Sequence, residues 1–310
     1  MGGGEGGLTL EAAVAEAAAP APRRRRLPHL TTPALLGLPL GWLVVFFVVP
    51  VAIVALYSVN VLALFPGPHS FALGAWYRLF HGTYIHLFSR SVQMSLIVSA
   101  LVVAAAYPLA YFLALSGTRR KYVLLLLLIA PFLTSYLLRV LAWKVILGDQ
   151  GVINTFLVWI GLQAHGHALS FLLYSRFAVM LVLGYVWLPF VALPIFVTLE
   201  SLDQRLLEAA SDLYASRVQA FLRVTLPLSL PGLVSAFLFV FIPTVGEFVT
   251  PSLVGGTSGY MYGNQIHDLF YTGFPDWETG AALALFLVGV ISALTLVFVR
   301  FLRLGEARTI

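Results

Sequence analysis

Residues 200–229 read ESLDQRLLEAASDLYASRVQAFLRVTLPLS, between two apolar blocks at 177–199 and 230–253. Leu202, Leu206, Leu207, Ala210 and Leu213 recur at roughly helical spacing, with Glu208 and Asp212 between them. That pattern predicts a short amphipathic helix lying along a membrane surface. Ala209 and Ala210 leave room for close helix approach, so the helix suits a partner's groove, and it equally suits a lipid interface.

The flanking composition explains why the stretch stands out. Of 310 residues 60% are hydrophobic and only 10% charged, against about a quarter charged in a soluble globular chain, so an ordinary charged surface cannot be built. A membrane-crossing helix needs about 20 apolar residues, and six blocks qualify: 35–64, 92–115, 122–147, 177–199, 230–253 and 281–304. Residues 35–310 therefore read as a transmembrane domain, and 200–229 as its longest cytoplasmic loop. The weaker stretch Val152 to Leu162 is too short to cross and reads as an external or re-entrant helix. Residues 1–34, rich in Gly, Ala and Pro, read as a disordered tail. With no cysteine, disulfides, thiolate metal sites and a cysteine nucleophile are excluded.

Thirteen of the 18 Lys and Arg fall on one side of these spans: Arg23 to Arg26, Arg119, Arg120, Lys121, Arg205, Arg217, Arg223, Arg300, Arg303 and Arg308. The positive-inside rule makes that side, with both termini, cytoplasmic. The formal charge of +5 thus records topology, and nucleic acid is not an expected partner.

Glu208-Ala209-Ala210, followed by Val224, Leu226 and Pro227, resembles the EAA motif of membrane subunits of binding-protein-dependent ABC importers. The likeness is greatest to the spermidine/putrescine permeases. It extends over about residues 90–300 through Leu138-Arg139-Val140-Leu141-Ala142-Trp143, Gly151 to Asn154, Leu188-Pro189-Phe190, and Phe241-Ile242-Pro243 through Gly246-Glu247-Phe248 to Gly255-Gly256. The resemblance implies an all-α polytopic membrane protein with six transmembrane helices in the type I ABC importer permease (MetI-like) fold, multi-pass in a bacterial inner membrane. It also implies that Glu208, Ala209, Ala210, Asp212, Leu213, Tyr214, Leu226 and Pro227 couple the spans to a cytoplasmic ATPase dimer. The family pattern usually has Gly where this chain has Tyr214. A bulky residue at positive φ costs about 1 kcal/mol or more, so either the turn uses another geometry or the strain is tolerated.

No G-x-x-x-x-G-K-[ST] stretch is present to cradle nucleotide, so ATP hydrolysis is assigned to the partner. The resemblance implies that this chain binds no cofactor, that the partner ATPase uses ATP and Mg, and that a second permease subunit and an extracytoplasmic solute-binding protein complete the assembly. It also implies a small cationic substrate such as putrescine or spermidine.

Glu247 falls inside the expected fifth span, beside Pro243, Gly246 and Pro251. A carboxylate at membrane depth costs roughly 2.5–3.5 kcal/mol, so it faces a cavity or a partner. Two readings stand: contact with a cationic substrate, or a buried pair, with Arg139 or the sister subunit. On a straight third helix Arg139 lies about 27 Å from Lys121, near the outer interface, where it and Lys144 snorkel or pair with external acids. Trp76, Trp143, Trp159, Trp187 and Trp277 fall mostly near span ends, as an interfacial belt does. The loop at about 255–280 carries Asp268, Asp276 and Glu278 without Lys or Arg, either by topological exclusion or as an acidic vestibule for a cation.

Two other classes compete. A secondary transporter needs no Glu208 loop, and the first and last three spans show no convincing repeat. An intramembrane serine protease is suggested by Gly256-Thr257-Ser258-Gly259, but Ser258 sits in an expected external loop, His267 lies nine residues downstream in the same loop, and the span 281–304 contains no His to act as base. Without H-E-x-x-H, His165 and His167 alone make weak metal ligands.

Overall fold

The computed structural model describes residues 32–62, 70–115, 119–162, 169, 171–273 and 275–306. The tail with Arg23 to Arg26, together with His165, His167 and Arg308, lies outside the described residues. The chain divides into two units, Met1–Ala52 and Ile53–Ile310. The first described helix, α1 (Thr32–Leu43), lies in the first unit and runs through a π turn (Val44–Val48) into α2 (Val49–Ser58), whose last six residues belong to the second; together they give one apolar span, Pro39–Ser58.

The second unit holds the remaining helices. These are α3 (Gly74–His81), α4 (Thr83–Leu115), α5 (Lys121–Ile129), α6 (Tyr136–Leu147), α7 (Val152–Trp159), α8 (Arg176–Glu200), α9 (Gln204–Asp212), α10 (Arg217–Val245), α11 (Tyr262–Tyr271) and α12 (Trp277–Glu306). Among the described residues five helices are long and apolar enough to cross a membrane, and a further apolar pair is bent at a break. The architecture is all-α as expected, and among the described residues it holds five candidate spans, or six when the bent pair Lys121–Leu133 and Tyr136–Trp159 is counted as one.

The core is the mutual packing of α4, α8 and α10. Val98, Val102, Ala106 and Ala110 recur every four residues down α4 and are buried with Val179, Val182 and Val186 of α8 and Ala236 and Val240 of α10. Small side chains let backbones approach where lipid offers no hydrophobic drive to helix association. The approach is closest at Gly232 of α10, where an added Cβ would sit 2.2 Å from Thr198 Oγ1 of α8. A second apolar cluster of Leu79, Tyr262 and Leu283 joins α3, α11 and α12.

Two spans depart from expectation. The third is not continuous: α5 runs into a 3₁₀ turn (Ala130–Leu133), and the two halves meet at 86°. Pro131 removes a helix hydrogen bond, and Thr134, extended at ψ 156, breaks the ladder. The stretch at Val152 forms α7, a short helix in the second half of this bent pair, as expected of a segment too short to cross. The fifth span begins at Arg217 and ends at Val245, earlier at both ends than its hydropathy suggested. The π turn Phe221–Thr225 just ahead of Pro227 absorbs the missing N–H, so helix continues from loop into span.

Candidate functional site

The loop between α8 and α10 is rigid at both roots. Glu200, last in α8, accepts from Lys121 Nζ at 2.6 Å and from Tyr122 at 3.1 Å, pinning the start of α5 beside it. Asp203 caps α9 by accepting from the Arg205 N–H at 3.0 Å. At the far end Ser216 and Gln219 form a reciprocal capping box that starts α10. Leu202, Phe221 and Leu226 pack against the bundle core. Phe221 stands edge-on to Tyr107 and Tyr111 of α4, at centroid distances of 5.7 and 5.6 Å.

Between these roots α9 ends in a left-handed turn. Ala215 N–H reaches back to the Ala210 carbonyl at 3.0 Å, and Tyr214 between them has φ 60. This is the helix-stop geometry in which glycine is favoured. The turn is therefore the usual left-handed one, and a tyrosine occupies it at a cost of roughly 1–2 kcal/mol. Tyr214 is 97% exposed and Leu213 82%. Glu208, Ala209 and Asp212 are exposed and Ala210 is half-buried. Val218 and Leu222 continue an exposed apolar surface onto α10, whereas Leu226 turns inward and Pro227 outward. An exposed apolar patch on a capped, core-anchored turn is a docking surface in form.

Glu247 does not hang from a spanning helix. It follows the end of α10, where its Oε1 accepts from the Val249 and Thr250 N–H groups at 2.9 and 3.2 Å and so starts the next turn of helix. Thr250 shares a 2.6 Å hydrogen bond with Tyr136, the first residue after the break in the third span. Gly263 of α11 lies so close that a Cβ would fall 2.4 Å from the Gly246 carbonyl, and Asn264 donates to the Phe248 carbonyl and to Ser252. The two chain breaks thus meet at one place. Tyr136, Thr250, Gly263 and Asn264 escaped the sequence reading because no periodicity marks them; the proline at each break was the available signal.

Among the described residues no ion pair joins Arg139 to Glu247. Arg139 is 8% exposed, its guanidinium over the rings of Phe132 at 5.1 Å and Tyr136 at 6.0 Å. Buried beneath these rings it neither snorkels nor, among the described residues, pairs with an acid, and the 86° bend invalidates the straight-helix rise from Lys121.

The acidic-vestibule reading also needs correction. Asp276 and Glu278 each lie 3.7 Å from Arg78, and Asp276 caps α12 through Thr279. Asp268 accepts from Tyr260 at 2.6 Å and faces His267 at 3.2 Å; burial and that carboxylate push the Tyr260 hydroxyl pKa up. Of the tryptophans, Trp187 belongs to the core with Phe190 and Phe239 instead of a belt. Ser258 donates to the Tyr174 carbonyl while His267 stacks on Phe248, so no nucleophile–base pair forms. Among the described residues no group of three or more His, Asp or Glu is placed to hold a metal.

Residues 30–309 match the model of the family described as "Binding-protein-dependent transport system inner membrane component". The chain is 36% identical over 234 residues to the spermidine/putrescine transport system permease protein PotB of Escherichia coli (strain K12), across 76% of this chain and 84% of that protein. Among solved structures it is similar to a bacterial ABC transporter involved in the import of the acidic polysaccharide alginate, with TM-score 0.63, 20% identity, and coverage of 87% of this chain and 94% of that one. A second structure of a bacterial alginate ABC transporter, in complex with an alginate pentasaccharide-bound periplasmic protein, gives TM-score 0.62 at 19% identity over 85% and 90% of the two chains. At that identity these structures carry the fold alone. With the match over nearly its whole length, this chain belongs to the family of inner membrane components of binding-protein-dependent transport systems and is a permease subunit of an ABC importer.

Proposed function

We propose that this permease carries a polyamine of the putrescine or spermidine class, moved inward by alternating access that a separate ATPase drives. The observation that carries the mechanism is the turn at Tyr214: exposed side chains on a strained backbone, anchored through Phe221 to the α4 and α10 core. A push on that turn is delivered to the spans as a rigid displacement, because a packed core transmits strain. Glu208, Ala209, Ala210, Asp212, Leu213, Tyr214, Leu226 and Pro227 make or support the contact. The partners are an ATPase dimer that uses ATP and Mg, a second permease subunit beside this chain, and a solute-binding protein on the opposite face. Both termini lie in the cytoplasm. In this reading Glu247 faces the cargo, its carboxylate held by two backbone N–H groups where the third and fifth spans break.

The polyamine assignment is supported by the 36% identity to PotB over most of the chain. The fold does not set the sign of the cargo, since the alginate importer shares it. Uptake of labelled putrescine by vesicles containing the full assembly tests the reading. ATP-dependent, vanadate-sensitive accumulation is expected; uptake abolished only by ionophores would point to a secondary transporter.

A further inference from the structure

Among the described residues three that are not glycine have positive φ: Asn60 at 56, Tyr174 at 54 and Tyr214 at 60. Asparagine tolerates that conformation, whereas an aromatic residue there is strained and persists only where its surroundings fix it. The two tyrosines flank α8, Tyr174 just before Arg176 and Tyr214 beyond Glu200, and the 25-residue helix between them is roughly 37 Å long. One strained tyrosine is thus displayed at each end of a spanning helix. Tyr174 is 56% exposed.

The backbone at Tyr174 is held from several sides. Ser258 donates to its carbonyl, Ser175 N–H donates to the Val254 carbonyl, and a Cβ on Gly256 would come within 2.9 Å of Tyr174 Cβ. Cations surround it. Lys144 Nζ lies 5.8 Å from the Tyr174 ring, and Arg176 is exposed and donates to the Ser258 carbonyl at 3.0 Å. Arg90 Nε and Nη2 are buried without a hydrogen-bond partner. Among the described residues Arg90, Lys144 and Arg176 have no carboxylate within 4.0 Å, whereas Arg78, on the same side of the membrane, has two. Lys and Arg are scarce on that side, so a cluster without counter-charge there is not a by-product of topology.

We propose that Tyr174, Lys144 and Arg176 form the docking patch for a carboxylate-bearing face of the solute-binding protein, the counterpart of the Tyr214 turn on the opposite membrane face. An exposed tyrosine flanked by a lysine and an arginine resembles an interface hot spot, and the uncompensated charge selects an acidic partner and speeds its encounter. The inference rests on the importer reading above.

The test uses the full assembly in vesicles, with its purified cognate solute-binding protein as the probe. In the Lys144→Glu, Arg176→Glu double variant the binding-protein concentration giving half-maximal ATPase stimulation is expected to rise about ten-fold, with unchanged basal ATPase activity. Tyr174→Ala should shift it in the same direction, and Tyr174→Phe much less. An unchanged half-maximal concentration in the double variant overturns the proposal. So does loss of basal activity, which would place these residues in assembly, or a response that depends on anionic lipid and not on the binding protein, which would make the patch a phosphate site. A wild-type assembly that the binding protein does not stimulate at all would instead overturn the importer reading.

Discussion

The Tyr107 hydroxyl of α4 lies 3.0 Å from the Ser229 hydroxyl of α10, and the Tyr107 ring meets Phe221 edge-on at 5.7 Å. One side chain therefore joins the second span, the fifth span and the root of the exposed loop. Phe221→Ala should leave the protein in the membrane but loosen this joint, lowering uptake several-fold while ATP hydrolysis by the assembly continues. The ratio of polyamine taken up to ATP hydrolysed is the readout; an unchanged ratio contradicts the joint's role.

Tyr214 pays for its position with backbone strain. Tyr214→Gly relieves roughly 1–2 kcal/mol and should raise thermal stability, while Tyr214→Ala keeps the strain and loses the ring. Both substitutions should weaken retention of the ATPase during purification. Equal retention by wild type and both variants would show that the ring makes no contact.

Glu247→Gln keeps an amide oxygen able to accept from Val249 and Thr250, so it should fold normally and lose only the charge. Uptake of cationic substrate should fall at least ten-fold. Glu247→Ala also loses the cap, at a further cost of about 1 kcal/mol in stability. Normal uptake with unchanged cation selectivity in Glu247→Gln would remove the carboxylate from the cargo path.

Gly232→Ala places a Cβ 2.2 Å from Thr198 Oγ1 and should destabilise the α8–α10 contact by about 1–3 kcal/mol, read as a lower melting temperature in detergent. All three obstructing atoms belong to Thr198, so adding Thr198→Gly should recover part of the loss. Absence of any recovery would mean that the helices are not in contact there.

The apolar spans were legible in the sequence because about 20 apolar residues in a row have few other uses. The loop was legible because Glu208, Asp212 and the leucines around them follow helical spacing. Tyr214 stands out in the sequence as the odd residue of its turn, yet only its φ of 60, with the Ala215-to-Ala210 hydrogen bond, decides that the turn is left-handed. The breaks in the third and fifth spans stayed hidden, because hydropathy does not register a proline bend. That is why the rise to Arg139 follows a straight helix in the sequence reading and Glu247 falls there inside a helix that ends at Val245.

The central claim is that the turn around Glu208 and Tyr214 is where an ATPase drives the spans. The chain has no cysteine, so a single one introduced by Ala209→Cys gives an unambiguous crosslinking site. In the assembled complex a short bifunctional thiol reagent should link position 209 to the ATPase, provided a cysteine is placed in the ATPase cleft, and should stop ATP-driven uptake. The same reagent at Ser235→Cys, exposed on the spanning part of α10, should do neither. Uptake that proceeds undiminished with position 209 unlinked in every cleft variant would contradict the account.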